Sequence, residues 1–285
     1  MRPSRALGQN FLADPNTARR IARLAGVGPG DRVVEIGAGL GSLTLALAET
    51  GATVVAVEVD KYLVPVLAEV VDPVGVKVVR GDALDLDWDS VLRESAPKPG
   101  NPIASPVPAP RPTPVPPASG WVLVSNLPYN VATPLVVRIL EEVPVISRML
   151  VMVQAEVGER LAAHAGEPAY GAVSVKVAYW ATASVVGRVP ATVFVPQPRV
   201  ESVLVAIGRR PTPAVDPAVV TYRRLVEVVR AGFAQRRKML RGTLAGVVEE
   251  GAFADAGVQP TARAEELDVE AWGRIAAWPT SGITN

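Results

Sequence analysis

The 285-residue chain contains no cysteine. Disulfides, thiolate-held metals and a cysteine nucleophile are therefore excluded. It has a single histidine, His164. One imidazole cannot build a histidine metal cluster, and in the loop "AAHAGEPAYG" it is expected to be solvated. Net charge is also scarce, at +1, so no global basic field announces a polyanionic partner. No apolar run approaches the roughly 18–20 residues of a membrane-spanning helix. The arginine-bearing start lacks the apolar stretch of a secretory signal. A cytoplasmic protein with no membrane partner and no metal is expected.

What is present is a large apolar fraction, 49%, enough for one sizeable core or a large domain with a small one. The charge is uneven. Arg2, Arg5, Arg19, Arg20 and Arg23 face Asp14 alone in residues 1–24, and Arg230, Arg236, Arg237, Lys238 and Arg241 have no acid between them.

Short β-branched runs alternate with helical patterns. "RVVEIG" (32–37), "TVVAVEV" (53–59), "VKVVRG" (76–81), "WVLVSN" (121–126) and "RMLVMVQ" (148–154) read as strands. "LTLALAE" (43–49), "KYLVPVLAEVV" (61–71) and about 132–141 read as helices. That order predicts an α/β fold with a largely parallel sheet and helices on both faces. From about 175 the pattern turns β-prone, and "VKVAYWATASVVGRV" with "ESVLVAIGRR" predicts an antiparallel hairpin at the sheet edge. Residues 217–249 and "VEAWGRIAAW" read as helical. The expected domains are 1–208 and a helical tail, 209–285, with Pro211 and Pro213 at the boundary. Residues 97–118 hold ten prolines in twenty-two positions and read as an unstructured surface insertion.

"EIGAGLG" places Gly37, Gly39 and Gly41 after the first of these strands. The spacing is G-x-G-x-G, not the G-x-G-x-x-G of a dinucleotide fingerprint. Glu58 lies twenty-one positions beyond Gly37, at the tip of the next strand, where a carboxylate meets ribose hydroxyls. Asp82 follows the third, suited to an adenine amino group. Three such features at successive strand tips predict an adenosine-bearing ligand without pyrophosphate, and S-adenosylmethionine fits.

"SNLPYN" (125–130) ends the fourth strand, which in a doubly wound sheet opens onto the same crevice. An exocyclic amine is a weak nucleophile because its lone pair is delocalised into the ring. The Asn126 side-chain oxygen and a backbone carbonyl at Leu127 or Pro128 can accept its two N–H bonds and aim the nitrogen. Pro128 fixes the backbone, and Tyr129 offers a face on which a base stacks. The base must then be outside its helix.

With these residues in view, the chain resembles the KsgA family of rRNA adenine N6,N6-dimethyltransferases. "LGQNFL", "EIGAGLG", "GDAL", "NLPYN", "VFVPQPRVES", "FAQRRKMLRGTL" and "RAEEL" occur in family order across nearly the whole chain. The last three separate it from the related Erm-type enzymes that methylate large-subunit rRNA. The resemblance implies a Rossmann-like S-adenosylmethionine-dependent methyltransferase sheet with a small all-helical C-terminal domain that binds rRNA. It implies donor contacts from Asn10, Leu12, Gly37, Gly39, Glu58, Asp82 and Asn126. A target-base pocket would involve Asn126, Leu127, Pro128, Tyr129 and Phe194, with phosphate contacts from Arg236, Arg237, Lys238 and Arg241. The implied partner is 16S rRNA in the immature small subunit, the implied state a monomer. A non-catalytic RNA-binding relative of the same fold is the other alternative, and an intact Asn126–Tyr129 segment argues against it.

Overall fold

The computed structural model describes residues 7–95 and 120–278. The proline-rich insertion, Arg2 and Arg5 lie outside them. In chain order the elements are β1 (Phe11–Leu12), α1 (Pro15–Ala25), β2 (Arg32–Ile36), α2 (Ser42–Ala48), β3 (Thr53–Glu58), α3 (Val64–Val71), β4 (Lys77–Arg80) and α4 (Trp88–Glu94). After the insertion come β5 (Trp121–Asn126), α5 (Ala132–Glu142), β6 (Ile146–Gln154), α6 (Ala155–Ala162), α7 (Ala172–Trp180), β7 (Ala181–Val189), β8 (Phe194–Val195) and β9 (Ser202–Arg209). The last helices are α8 (Tyr222–Phe233), α9 (Leu240–Thr243), α10 (Gly251–Asp255) and α11 (Val269–Ala276).

Seven strands form one sheet in the order β4-β3-β2-β5-β6-β9-β7. The first five are parallel and β9 runs antiparallel to β6. The order reverses between β2 and β5, which is where an open α/β sheet leaves a crevice at its carboxyl edge. Val33, Val54, Val122, Val124 and Leu150 pack with Ile21 of α1 and Leu47 of α2 on one face. On the other face α6 presses Gly158 against Val153, Val203 and Val205. Burial on both faces explains the near-continuous apolar strands. The helix α1 starts where the Asp14 side chain accepts the N–H groups of Asn16 and Thr17, and stops at the left-handed Gly26.

The chain forms two compact units. One takes the described residues up to Gly158 with Val185–Gly208, and the other Glu159–Ser184 with the described residues from Arg209 onward. The second unit has its own core around Trp272, with Leu225, Val228 and Val229 of α8, Phe253 of α10 and Ile275 of α11.

Two stretches depart from the sequence reading. Residues 175–180, read as β-prone, belong to the helix Ala172–Trp180, and the strand begins only at Ala181. This helix is apolar on nearly all sides, so it carries no 3.6-residue signature. Its start is fixed instead by Ser174, whose hydroxyl accepts from the Gly171 N–H and donates to the Arg160 carbonyl. Residues 234–249, read as helix, are mostly turn. Met239 is extended and bridges Arg263 in antiparallel fashion, and the Leu240 and Arg241 N–H groups go to Ala262 and Pro260 carbonyls. Those distant acceptors outcompete a helix already weakened by Gly242 and Gly246.

An alanine at position 158 would place its Cβ 2.2 Å from Val203 Cγ2 and 3.0 Å from Val205 Cγ2. Gly→Ala within an exposed helix stabilises by about 1 kcal/mol. Here the overlap should reverse the sign, so Gly158→Ala is expected to lower the urea midpoint, by about 1–3 kcal/mol of stability.

Candidate active site

The ladder between β2 and β5 ends at Val34 opposite Leu123, whereas β5 stays paired with β6 as far as Asn126 opposite Met152. Past that point the two central strands part. Ser125 bridges the gap: its buried hydroxyl accepts the Ile36 N–H at 3.2 Å and donates to the Ile36 carbonyl. Two motifs leave the sheet from this junction, the glycine turn after Ile36 and the Asn126–Tyr129 segment after Ser125.

The glycine turn is drawn inward. Gly37 and Gly39 have φ of 71° and 58°. A Cβ on Gly39 would lie 3.0 Å from the Phe11 ring, and one on Gly37 3.4 Å from Pro128 Cδ. The N–H groups of Gly37 and Ala38 go to the Val57 carbonyl, that of Gly41 to Ala38, and that of Gly39 to Glu58 Oε2 at 2.8 Å. A phosphate-binding loop keeps such donors for its ligand. This one spends them internally.

Asn126, Leu127, Pro128 and Tyr129 form one wall of a cleft with Gly37, Gly39, Glu35, Glu58, Asn10 and Leu12. It encloses about 700 Å³, including space open to solvent. The strap before α1 closes another side. Gln9 Nε2 donates to Asp60 Oδ2 at 2.8 Å, and Asn126 Nδ2 donates to the Asn10 carbonyl at 3.0 Å. A carbonyl only accepts, so this contact fixes which end of the Asn126 amide is nitrogen and leaves Oδ1 as its acceptor. The Pro128 carbonyl accepts from Val131 and Ala132, closing the turn into α5. The Leu127 carbonyl takes no such bond among the described residues.

The cleft is lined by two acids, Glu35 and Glu58, and by no basic side chain among the described residues. Glu58 is 4% exposed and binds the N–H groups of Gly39 and Asp60. Glu35 is 1% exposed and accepts from the Thr44 hydroxyl at 2.6 Å. Burial, with the Glu58 charge adding to it against the Thr44 bond, pushes its carboxyl up to about 8. Burial keeps the Glu35 proton in place at neutral pH, so the lining offers the Glu58 carboxylate without a basic partner among the described residues, which suits a cationic, hydroxyl-bearing ligand and disfavours a phosphate. S-adenosylmethionine, with its sulfonium, ammonium and ribose hydroxyls, fits that donor set.

Three expected residues lie elsewhere or are otherwise engaged. Asp82 is exposed, outside the cleft lining, with Oδ1 capping the Leu84 N–H. Phe194 is 2% exposed and packs in the core beneath the strap, where Leu12 pairs with it. In the second unit Arg236 pairs with Glu265 at 2.7 Å and with the Pro168 carbonyl at 2.6 Å, while Arg237, Lys238 and Arg241 are exposed on turns and a short helix. Sequence reasoning assigned no role to Ser125, Thr44, Gln9 or Ser202. Gln9 and Ser202 stood inside quoted motifs without a role of their own, and Ser125 showed as a hydroxyl inside an apolar strand.

Residues 2–280 match the family model described as Ribosomal RNA adenine dimethylase. The chain is 44% identical to Ribosomal RNA small subunit methyltransferase A of Nocardia farcinica, over 97% of this chain and 90% of that protein. Two solved structures share the fold at low identity. One is a dimethyladenosine transferase from Plasmodium falciparum, with TM-score 0.68 and 19% identity, covering 93% of this chain and 95% of that one. The other is the 23S rRNA methyltransferase ErmE, with TM-score 0.67 and 24% identity, covering 94% and 98%.

Glu35 has a pH consequence. Its folded-state pKa lies above the ordinary 4.5, so the folded protein holds this proton more tightly than the unfolded chain. The associated stability is intact below pH 4.5 and is lost as the pH rises to about 8, at roughly 1.4 kcal/mol per pH unit at most. Glu35→Gln should flatten that decline, as read from urea midpoints across the window.

Proposed function

The chain belongs to the ribosomal RNA adenine dimethylase family, and from that premise we propose that it methylates N6 of two adjacent adenosines in a hairpin loop near the 3′ end of 16S rRNA. The proposed substrate is the immature small subunit, and the product N6,N6-dimethyladenosine. The observation that carries the reading is the convergence of Asn126, Leu127, Pro128 and Tyr129 with Glu58 and the Gly37–Gly39 turn on one cleft.

S-adenosylmethionine supplies, when bound, a methyl group made electrophilic by its sulfonium. Glu58, Gly37, Gly39, Asn10 and Leu12 would hold it, and Asp82, outside the cleft lining, is assigned to the adenine amino group only by the sequence pattern and the resemblance. Asn126 Oδ1 and the Leu127 carbonyl take the two N–H bonds of the target amine and direct its lone pair. The Tyr129 ring stacks on the extruded base, a contact worth about 1–3 kcal/mol. Leu127, 1% exposed, anchors the segment so that its carbonyl keeps its direction. No strong base is needed at the amine, because alkylation acidifies the remaining proton. A once-methylated amine retains one N–H, so a single acceptor serves the second transfer. We assign rRNA phosphate contacts to Arg237, Lys238 and Arg241 in the second unit, with Arg236 also ordering its own loop through Glu265. The protein is proposed to act as a monomer in the cytoplasm. Among the described residues no helix is long and apolar enough to cross a membrane.

The fold shared with ErmE does not separate small- from large-subunit rRNA as substrate, and the 44% identity to a small-subunit enzyme supports the former. Methyl incorporation into immature small subunits and into free large-subunit rRNA tests the choice, and transfer confined to the latter would overturn it. Asn126→Ala should lower kcat by at least about a hundredfold, as for loss of a preorganised group at a reacting centre. Salt-sensitive rRNA binding should stay within a fewfold by filter binding.

A further inference from the structure

The Tyr129 hydroxyl is engaged. It lies 2.9 Å from Ser202 Oγ. Ser202 is 0% exposed at the first position of β9, opposite Gln154 of β6. The preceding carbonyl, of Glu201, accepts the Ala155 N–H, so the serine backbone is held on both sides. Burial raises the Tyr129 phenol above its ordinary pKa, with the Ser202 bond opposing, so the hydroxyl keeps its proton at neutral pH.

A phenol beside a methyl-accepting amine has two conceivable uses. It could carry a proton, or it could anchor the ring. A proton wire needs an onward partner. The Ser202 side chain contacts no second polar group among the described residues, and it is sealed from solvent. The path ends there. The ring, by contrast, lines the cleft with its hydroxyl tied to a rigid strand end.

We propose that Ser202 is a positioning residue for the target base: by binding the Tyr129 hydroxyl it fixes the rotation of the ring, and so the angle at which the extruded adenine is held against Asn126 and Leu127. This rests on the reading of Tyr129 as the stacking face. It also accounts for a tyrosine where stacking alone would accept phenylalanine.

The test compares Ser202→Ala, Tyr129→Phe, the double variant and Ser202→Thr on immature small subunits, with donor affinity measured by calorimetry. Each single variant should lower kcat by roughly three- to tenfold, the span expected for one neutral hydrogen bond. Donor Kd should remain within twofold. The double variant should be no worse than either single one, Ser202→Thr should restore most of the rate, and the kcat–pH profile of Tyr129→Phe should keep the wild-type shape. Additive losses, a weakened donor Kd in Ser202→Ala, or a lost basic limb in Tyr129→Phe would overturn the proposal. If Ser202→Ala does not fold, Tyr129→Phe decides alone, and full activity in it would be fatal. Tyr129→Ala separates the two levels. Full activity there removes the stacking reading itself, whereas an inactive Tyr129→Ala beside a fully active Tyr129→Phe removes only the anchor.

Discussion

The site depends on two central strands that must separate and yet stay tied. If β2 and β5 remained paired to their ends, no crevice would open where the strand order reverses. If they parted without compensation, the Ile36 N–H and carbonyl would be buried without partners, at about 1–3 kcal/mol each. The Ser125 hydroxyl satisfies both. It is the last residue before Asn126, and Ile36 is the last before Gly37. One oxygen therefore sets the spacing between the Gly37–Gly39 turn and the Asn126–Tyr129 segment.

The character of the cleft follows from what its backbone has already spent. With the Gly37, Ala38, Gly39 and Gly41 N–H groups bonded inside the chain, the turn offers shape and close approach but little positive potential. Glu58 then adds a carboxylate to the lining, while burial keeps the Glu35 proton in place. The same strand-turn-helix frame that elsewhere holds pyrophosphate here presents a carboxylate and a turn whose N–H groups are already bonded. The change lies in the third glycine's spacing and in a carboxylate that reaches back to cap the turn.

Much of this was legible in the sequence because it rests on local rules. The parallel strands announce themselves as β-branched runs, and Gly37, Glu58 and Asn126 fall at strand tips that the βαβ order brings to one edge. What was not legible depends on distant partners. α7 has no helical periodicity because it is buried on nearly all sides, and its start is set by an Arg160 carbonyl fourteen residues before Ser174. The 234–249 stretch has the composition of a helix, but Ala262 and Pro260 take its N–H groups. That the Pro128 carbonyl closes the turn into α5 was likewise not legible from the strand pattern. Phe194 shows the converse limit. The resemblance gave it a role at the base pocket, and the structure places its side chain in the core beneath the strap.

The pairing of Phe11 and Leu12 with Val195 and Phe194 has a consequence in time. The strap's partners come more than 180 residues after it in the chain. At translation speeds of about 5–20 residues per second, the strap waits roughly ten to forty seconds before it can pair with β8. The sheet, the glycine turn and the Asn126 segment are all synthesised in that interval. A nascent chain thus carries every polar group of its cleft before the strap gains its β8 partner, and that pairing reports that the chain has been made past β8.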